Sequence, residues 1–239
     1  MPLAPVEMAI ADARGLDTSL DREGFVLVEH TSALPDLTDL EAVARIHRDE
    51  IAALLTQVTG CDHVAMTPFG ILRFSERLGA NDAHDNSHPA RFAHVDMAKA
   101  DAAAARARTA PEGKAIARSA MYNAWRVLSQ PPQDVALALC DYTSLEQAAD
   151  LIDCTAIFDP PGDAPEWSFA NYVIAHNPGH RWYYYADMHP GEAIVFKTSE
   201  SDPGRAQLMP HGAFDNPLAP PDAPPRISLE MRGTCYWFA

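Results

Sequence analysis

"HRWYYYADMHPGEAIVFKT", residues 180–198, is the stretch whose reading decides the fold. Two runs rich in aromatic and β-branched residues, 180–186 and 192–197, flank the turn signal His189-Pro190-Gly191, which predicts a strand, a turn and a second strand. Side chains alternate along a strand, so Trp182 and Tyr184 share one face and Arg181, Tyr183 and Tyr185 the other. A period of about two extends outward from here, to 63–74, 91–96, 119–127, 135–140, 168–176, 206–211 and 226–238. A further turn falls at Asn177-Pro178-Gly179, and "GFVLVEH" (24–30) adds an early β-type run.

One segment keeps a different period. From about Leu37, residues Leu40, Val43, Ala44, Ile51, Leu54, Leu55 and Val58 recur at three- and four-residue intervals, which predicts a helix stopped by Gly60. His47 lies on that stripe and reads as a packed histidine. Thr-Ala-Pro-Glu from Thr109 and Ser-Leu-Glu-Gln from Ser144 read as capping boxes that open two short helices. The alanine-rich residues 98–107 add another. There is no internal repeat and no linker, because the most proline-rich stretch (203–225, seven prolines) runs between strands that belong together. An N-terminal helix followed by many spaced strands predicts one domain over residues 1–239, mainly β with helical additions: a sandwich, jelly roll or barrel.

The totals narrow the function. At 239 residues the chain can bury a substantial core, and 47% hydrophobic with 21% charged residues is ordinary for a globular protein. A net charge of −15 repels nucleic-acid phosphate, and no basic, aromatic-interleaved patch offsets it, so no nucleic-acid partner is expected. No apolar run approaches the roughly 20 residues that span a bilayer, so no membrane partner is expected either. The four cysteines, 61, 140, 154 and 235, have no CxxC spacing and read as reduced thiols in a cytoplasm, in a chain without a signal-peptide pattern. The same acidity repels small dianions, so any anion the protein binds must meet a local cation inside a cleft.

"RFAHVDM" (91–97) carries the chemistry. His94 and Asp96, one residue apart on an extended segment, point to the same face. His-x-Asp alone is common by chance, and the plain alternative is a surface pair. Late in the chain, however, "MPHGAF" supplies His211, and "PRISLEMR" follows with Arg226 and Ser228 on one strand face. Two imidazoles and one carboxylate are the facial ligand set of non-haem Fe(II) oxygenases. The guanidinium fork of Arg226 suits the distal carboxylate of a 2-oxo acid, although a strand-end ion pair is its plain alternative. In "YNAWRVL", Asn123 and Trp125 share a face and either line a barrel mouth or are core; Tyr184 is the third candidate for contact with substrate. His176 and His180 have a turn between them, which disfavours a helical zinc pair. His84 and His88 lie in a polar loop.

The ordered set "PARFAHVD", "YNAWRVL", "LALCDYTSL", "HRWYYYADMHPGEAIVFK", "HGAF" and "PPRISLEMR" resembles the CmcJ/NvfI-like oxidoreductases, a family that includes AsaB-like hydroxylases and gibberellin-desaturase-like proteins. The likeness covers residues 20 to 235, with departures at Val127, Ile227 and Glu200. It implies a double-stranded β-helix (a cupin-like jelly roll) and a dioxygenase that uses Fe(II), 2-oxoglutarate and O2 to hydroxylate, desaturate or cyclise a small molecule, commonly in secondary metabolism. By resemblance, His94, Asp96 and His211 are the metal ligands, and Arg226 is the co-substrate anchor. A homodimer is compatible with it. The alternatives are a non-haem iron oxidase that does not use 2-oxoglutarate and a jelly-roll protein that binds a small molecule without turnover.

Overall fold

The structure, a computed structural model, describes residues 3–79, 88–158 and 167–239. Along the chain the strands are β1 (Ile10–Asp12), β2 (Phe25–Glu29), β3 (His63–Met66), β4 (Ile71–Phe74), β5 (His94–Val95), β6 (Ile116–Val127), β7 (Val135–Cys140), β8 (Leu151–Phe158), β9 (Trp167–Ile174), β10 (Trp182–Tyr184), β11 (Glu192–Glu200), β12 (His211–Asp215) and β13 (Ile227–Phe238). They form two sheets. One has the order β1-β10-β7-β12-β5-β9-β8; the other has the order β2-β11-β6-β13-β3, with β4 also paired to β13. These mostly antiparallel sheets are the jelly roll that the sequence pattern and the resemblance predict.

Alternation along β6, β11 and β13 sorts the second sheet into two faces. Tyr122, Ala124, Ala193, Val195, Leu229, Met231 and Cys235 point outward, where a helical segment covers them through Val43, Ile51, Leu54 and Leu55. Trp125, Val127, Ile194 and Phe196 point inward and meet Leu137, Leu139 and Met209 between the sheets. The helical segment consists of α1 (Leu40–Ala42), a π-helical turn over Val43–His47 and α2 (Arg48–Thr59). The Asp39 side chain caps its start by accepting from the Glu41 and Ala42 amides, and Gly60 ends it with a left-handed φ of 68°. The segment follows β1 and β2 and so is not the first element of the chain. His47 is 1% exposed, its Nδ1 is 2.7 Å from Glu50, and burial pushes its pKa down to about 4, as befits a packed histidine. No helix among the described residues is long and apolar enough to cross a membrane.

Two expectations fail for local reasons, and a third is met with a shifted cap. No helix follows Thr109, because Thr109 closes α3 (Lys99–Arg108) and its hydroxyl lies 2.6 Å from that of Tyr236 and 3.1 Å from the Ala105 carbonyl. The helix after Ser144 is the single turn α4 (Gln147–Asp150), with Glu146 at the cap position. Ser144 instead donates to the Asp141 carbonyl and accepts from the Arg181 amide. The chain then enters β8, an edge strand whose mostly apolar residues lack strict alternation. Residues 206–210 are not a strand: the ladder begins at His211, since Pro210, whose carbonyl accepts from the Cys140 amide, has no N–H to give it.

Gly212 marks the tightest strand approach. A β-carbon there would stand 2.9 Å from the Phe92 carbonyl oxygen, backbone that cannot swing aside. Gly212→Ala is expected to lower unfolding stability by about 1–3 kcal/mol. Gly60→Ala, with open space around it, costs only the left-handed strain, about 1 kcal/mol. Urea denaturation of both variants checks the order.

Candidate metal centre

His94 and His211 are directly opposed partners on the antiparallel strands β5 and β12, so pairing alone brings their rings to 4.4 Å between centroids. The Nδ1 of His94 lies 3.0 Å from the Phe92 carbonyl, and that of His211 lies 3.3 Å from the Met209 carbonyl. A carbonyl only accepts, so each Nδ1 is the donor and each Nε2 presents its lone pair inward. Asp96, two residues after His94, projects into the same space, with Oδ1 3.7 Å from the His94 Nε2 and 3.8 Å from that of His211. The three ligand atoms lie within 4.8 Å of one another.

Asp96 is held from the opposite sheet. The Asn123 amide on β6 donates to Oδ2 at 2.7 Å, and Arg232 on β13 donates to Oδ1 at 3.1 Å. Arg232 is steadied in turn by Glu230 at 2.6 Å. Burial pushes the Asp96 carboxyl up, but Arg232 and the imidazoles outweigh it and hold the acid well below its ordinary range. Burial pushes His211 down to about 4. His94 rises despite burial, because its contact with Asp96 favours the proton.

Beyond the triad the cavity runs past Trp125, Leu137 and Ala213 to Arg226. Arg226 is 2% exposed and Ser228 0%, and two of their atoms, Arg226 Nε and Ser228 Oγ, are buried without a hydrogen-bond partner among the described residues. Among the described residues the Arg226 guanidinium has a single long 3.4 Å contact, from Nη1 to the Ala136 carbonyl, and lies 5.5 Å from the Trp125 ring. Buried polar atoms are rarely left unmatched, so this pair has room in its hydrogen bonding for an acceptor that the described residues do not supply. Donor chemistry and cradle both fit: two nitrogens and one oxygen suit Fe(II), and the two orphaned groups suit a carboxylate.

The remaining candidates are placed as follows. Trp125 lines the cavity, whereas Asn123 turns to Asp96. Tyr184 does not line the cavity; it sits on β10, edge-on to Phe214, two strands away from β12. The Nε2 of His180 is 2.8 Å from Asp150, and the Nδ1 of His88 is 3.3 Å from the Phe74 carbonyl; His84 lies outside the described residues. A second close group, Glu29, His189 and Glu192, differs in kind: the Glu192 carboxylate is engaged by both Arg14 amino nitrogens at 2.7 and 2.8 Å. Sequence reasoning passed over Arg232, Glu230 and Arg73. The signal for the first two was the run 226, 228, 230, 232 along one face of β13.

A jelly roll with two histidines and one carboxylate at its mouth defines the class of non-haem iron oxygenases. The profile of the family described as "Oxidoreductase/YMDC permease-like domain" matches residues 2–236, and the chain belongs to that family. The chain is 30% identical to the alpha-ketoglutarate-dependent dioxygenase phiK of a fungal species, over 93% of its own length and 81% of that protein. It is 27% identical to the Fe(II)/2-oxoglutarate-dependent dioxygenase nvfI of Aspergillus novofumigatus, over 95% and 82%. A solved structure of the iron and alpha-ketoglutarate-dependent endoperoxidase NvfI superposes with a TM-score of 0.80 at 24% identity, covering 96% of this chain and 83% of that one, and shares its fold. The protein is an oxidoreductase, an Fe(II)- and 2-oxoglutarate-dependent dioxygenase.

Burial, with Arg91 nearby, pushes the Arg226 guanidinium down to about 9. A cation whose folded pKa lies below its unfolded value is disfavoured by the fold, and at neutral pH, where both states are charged, that cost is present in full. Arg226→Met is therefore expected to leave the protein as stable as the parent or more so, as when buried ion pairs are replaced by apolar residues. Denaturant melts without added ligand decide it; a loss beyond about 2 kcal/mol would mean that the guanidinium has a structural partner.

Proposed function

We propose that His94, Asp96 and His211 hold Fe(II), and that Arg226 and Ser228 take the distal carboxylate of 2-oxoglutarate. The observation that carries this is the orphaned Nε of Arg226, which lines the same cavity as the triad, together with the orphaned Oγ of Ser228 two residues further on. When bound, the iron with 2-oxoglutarate and O2 supplies an oxidant for an unactivated C–H bond while the co-substrate is decarboxylated to succinate. The chain's own residues prepare for it. The Phe92 and Met209 carbonyls fix both imidazole tautomers, and the Asp96 carboxylate offsets metal charge. Trp125 and Leu137 wall the co-substrate end with apolar surface, which excludes water and strengthens the pairing to Arg226. Ile71, Arg73 and Glu230 line the rest of the cavity, where the substrate enters.

The substrate is a small molecule of secondary metabolism, and the outcome is hydroxylation, desaturation or cyclisation. The named relatives support this: they include a hydroxylase/desaturase, efuI, at 27% identity over 92% of this chain, besides the dioxygenases above. The chain works as one domain in the cytoplasm, with no nucleic-acid or membrane partner, in keeping with its net charge of −15.

His94→Ala and His211→Ala are each expected to lose nearly all bound iron after anaerobic loading. Arg226→Ala should keep its iron and bind 2-oxoglutarate more weakly by at least about 2 kcal/mol, because a desolvated carboxylate loses its partner. Metal analysis and the metal-to-ligand charge-transfer titration read these. Wild-type iron content in both histidine variants, or an unchanged titration in Arg226→Ala, contradicts the respective assignment.

A further inference from the structure

We infer that Asn123 is a positioning residue that restricts Asp96 to binding the metal through one oxygen and so keeps a coordination position open for a diatomic ligand. The inference rests on the assignment of Asp96 as an iron ligand. Its basis is the division of labour between the two carboxylate oxygens. Oδ1 is the oxygen that faces both imidazoles, at 3.7 and 3.8 Å. Oδ2 accepts from Asn123 at 2.7 Å.

The backbone enforces this division. Asn123 and Arg232 are register partners across β6 and β13, so their side chains leave the same face of one sheet and converge on a carboxylate from the other. Asn123 is 1% exposed, so bulk solvent does not reach its amide. An Oδ2 that swung toward a metal would strand a buried donor, at a cost of about 1–3 kcal/mol. Arg232 cannot follow the carboxylate round either, because Glu230 holds its Nε at 2.6 Å.

The consequence is one of counting. Two imidazoles, one carboxylate oxygen and two oxygens of a chelating 2-oxo acid fill five of the six positions of an octahedral ion. A carboxylate that chelates through both oxygens takes the sixth as well. Asn123 therefore acts on O2 access without touching O2, substrate or metal, a role different from the substrate contact the sequence suggested for it.

Nitric oxide, a diatomic probe for the same position, tests this in the anaerobic complex with Fe(II) and 2-oxoglutarate. Asn123→Leu has the shape of the amide without its donor, and Asn123→Ser is too short to reach Oδ2; whichever folds serves the test. Iron affinity should stay within about tenfold of the parent, the lower end of what such outer partners contribute. The nitric oxide concentration that half-saturates the iron–nitrosyl electron paramagnetic resonance signal should rise at least about tenfold. Unchanged nitric oxide affinity in a folded, iron-loaded variant overturns the inference, as does a variant that loses iron yet binds nitric oxide normally at the iron that remains. Asp96→Ala run alongside separates the two levels: wild-type iron content there would mean that Asp96 is not a ligand at all.

Discussion

The carboxylate of Asp96 is where the two sheets of this protein are joined. It leaves the end of β5 in one sheet, and its oxygens are gripped by Asn123 and Arg232, cross-strand partners in the other. A buried carboxylate without such partners is costly, and with them it still has one oxygen facing the paired imidazoles of His94 and His211. The tautomers of those rings, the path of β12 past β5 and the close approach at Gly212 all serve to bring the nitrogens to that oxygen. Around this point the outer face of the β6–β13 sheet is sealed by the helix, and the inner face is free to build a cavity.

The charge distribution follows the same logic on a larger scale. A chain of net charge −15 keeps a guanidinium, Arg226, almost wholly buried, with its Nε unmatched among the described residues. Such a group is a standing cost to the fold. It makes physical sense where a carboxylate arrives from outside, because a dry, apolar wall beside Trp125 makes the pairing strong once formed. On the proposed reading, the site stores part of its binding energy in an arrangement that the described residues alone leave unsatisfied.

Much of this was legible in the sequence, for reasons that differ by element. The helix ending at Gly60 and the strands of β6, β7, β11 and β13 have strong periodicity because each is amphipathic or wholly buried. His94, Asp96 and His211 were legible through spacing and ordered motifs. What was hidden depended on tertiary partners. β8 is an edge strand whose mostly apolar residues do not alternate strictly with polar ones, and Thr109 was claimed by Tyr236 before it could cap a helix. Asn123 was visible on the correct face of β6, but only the packing of two sheets shows that its amide meets Asp96. Tyr184 has the periodicity of a lining residue and is spent on Phe214.

The most direct measurement is a crystal structure of the wild-type protein grown without oxygen in the presence of Fe(II) and 2-oxoglutarate. The account predicts iron bound by the Nε2 atoms of His94 and His211 and by Oδ1 of Asp96, with Oδ2 still on Asn123. It also predicts the far carboxylate of 2-oxoglutarate on Arg226 Nε and Ser228 Oγ. Iron at another group of residues, or a co-substrate that leaves Arg226 Nε and Ser228 Oγ unpaired, would contradict it.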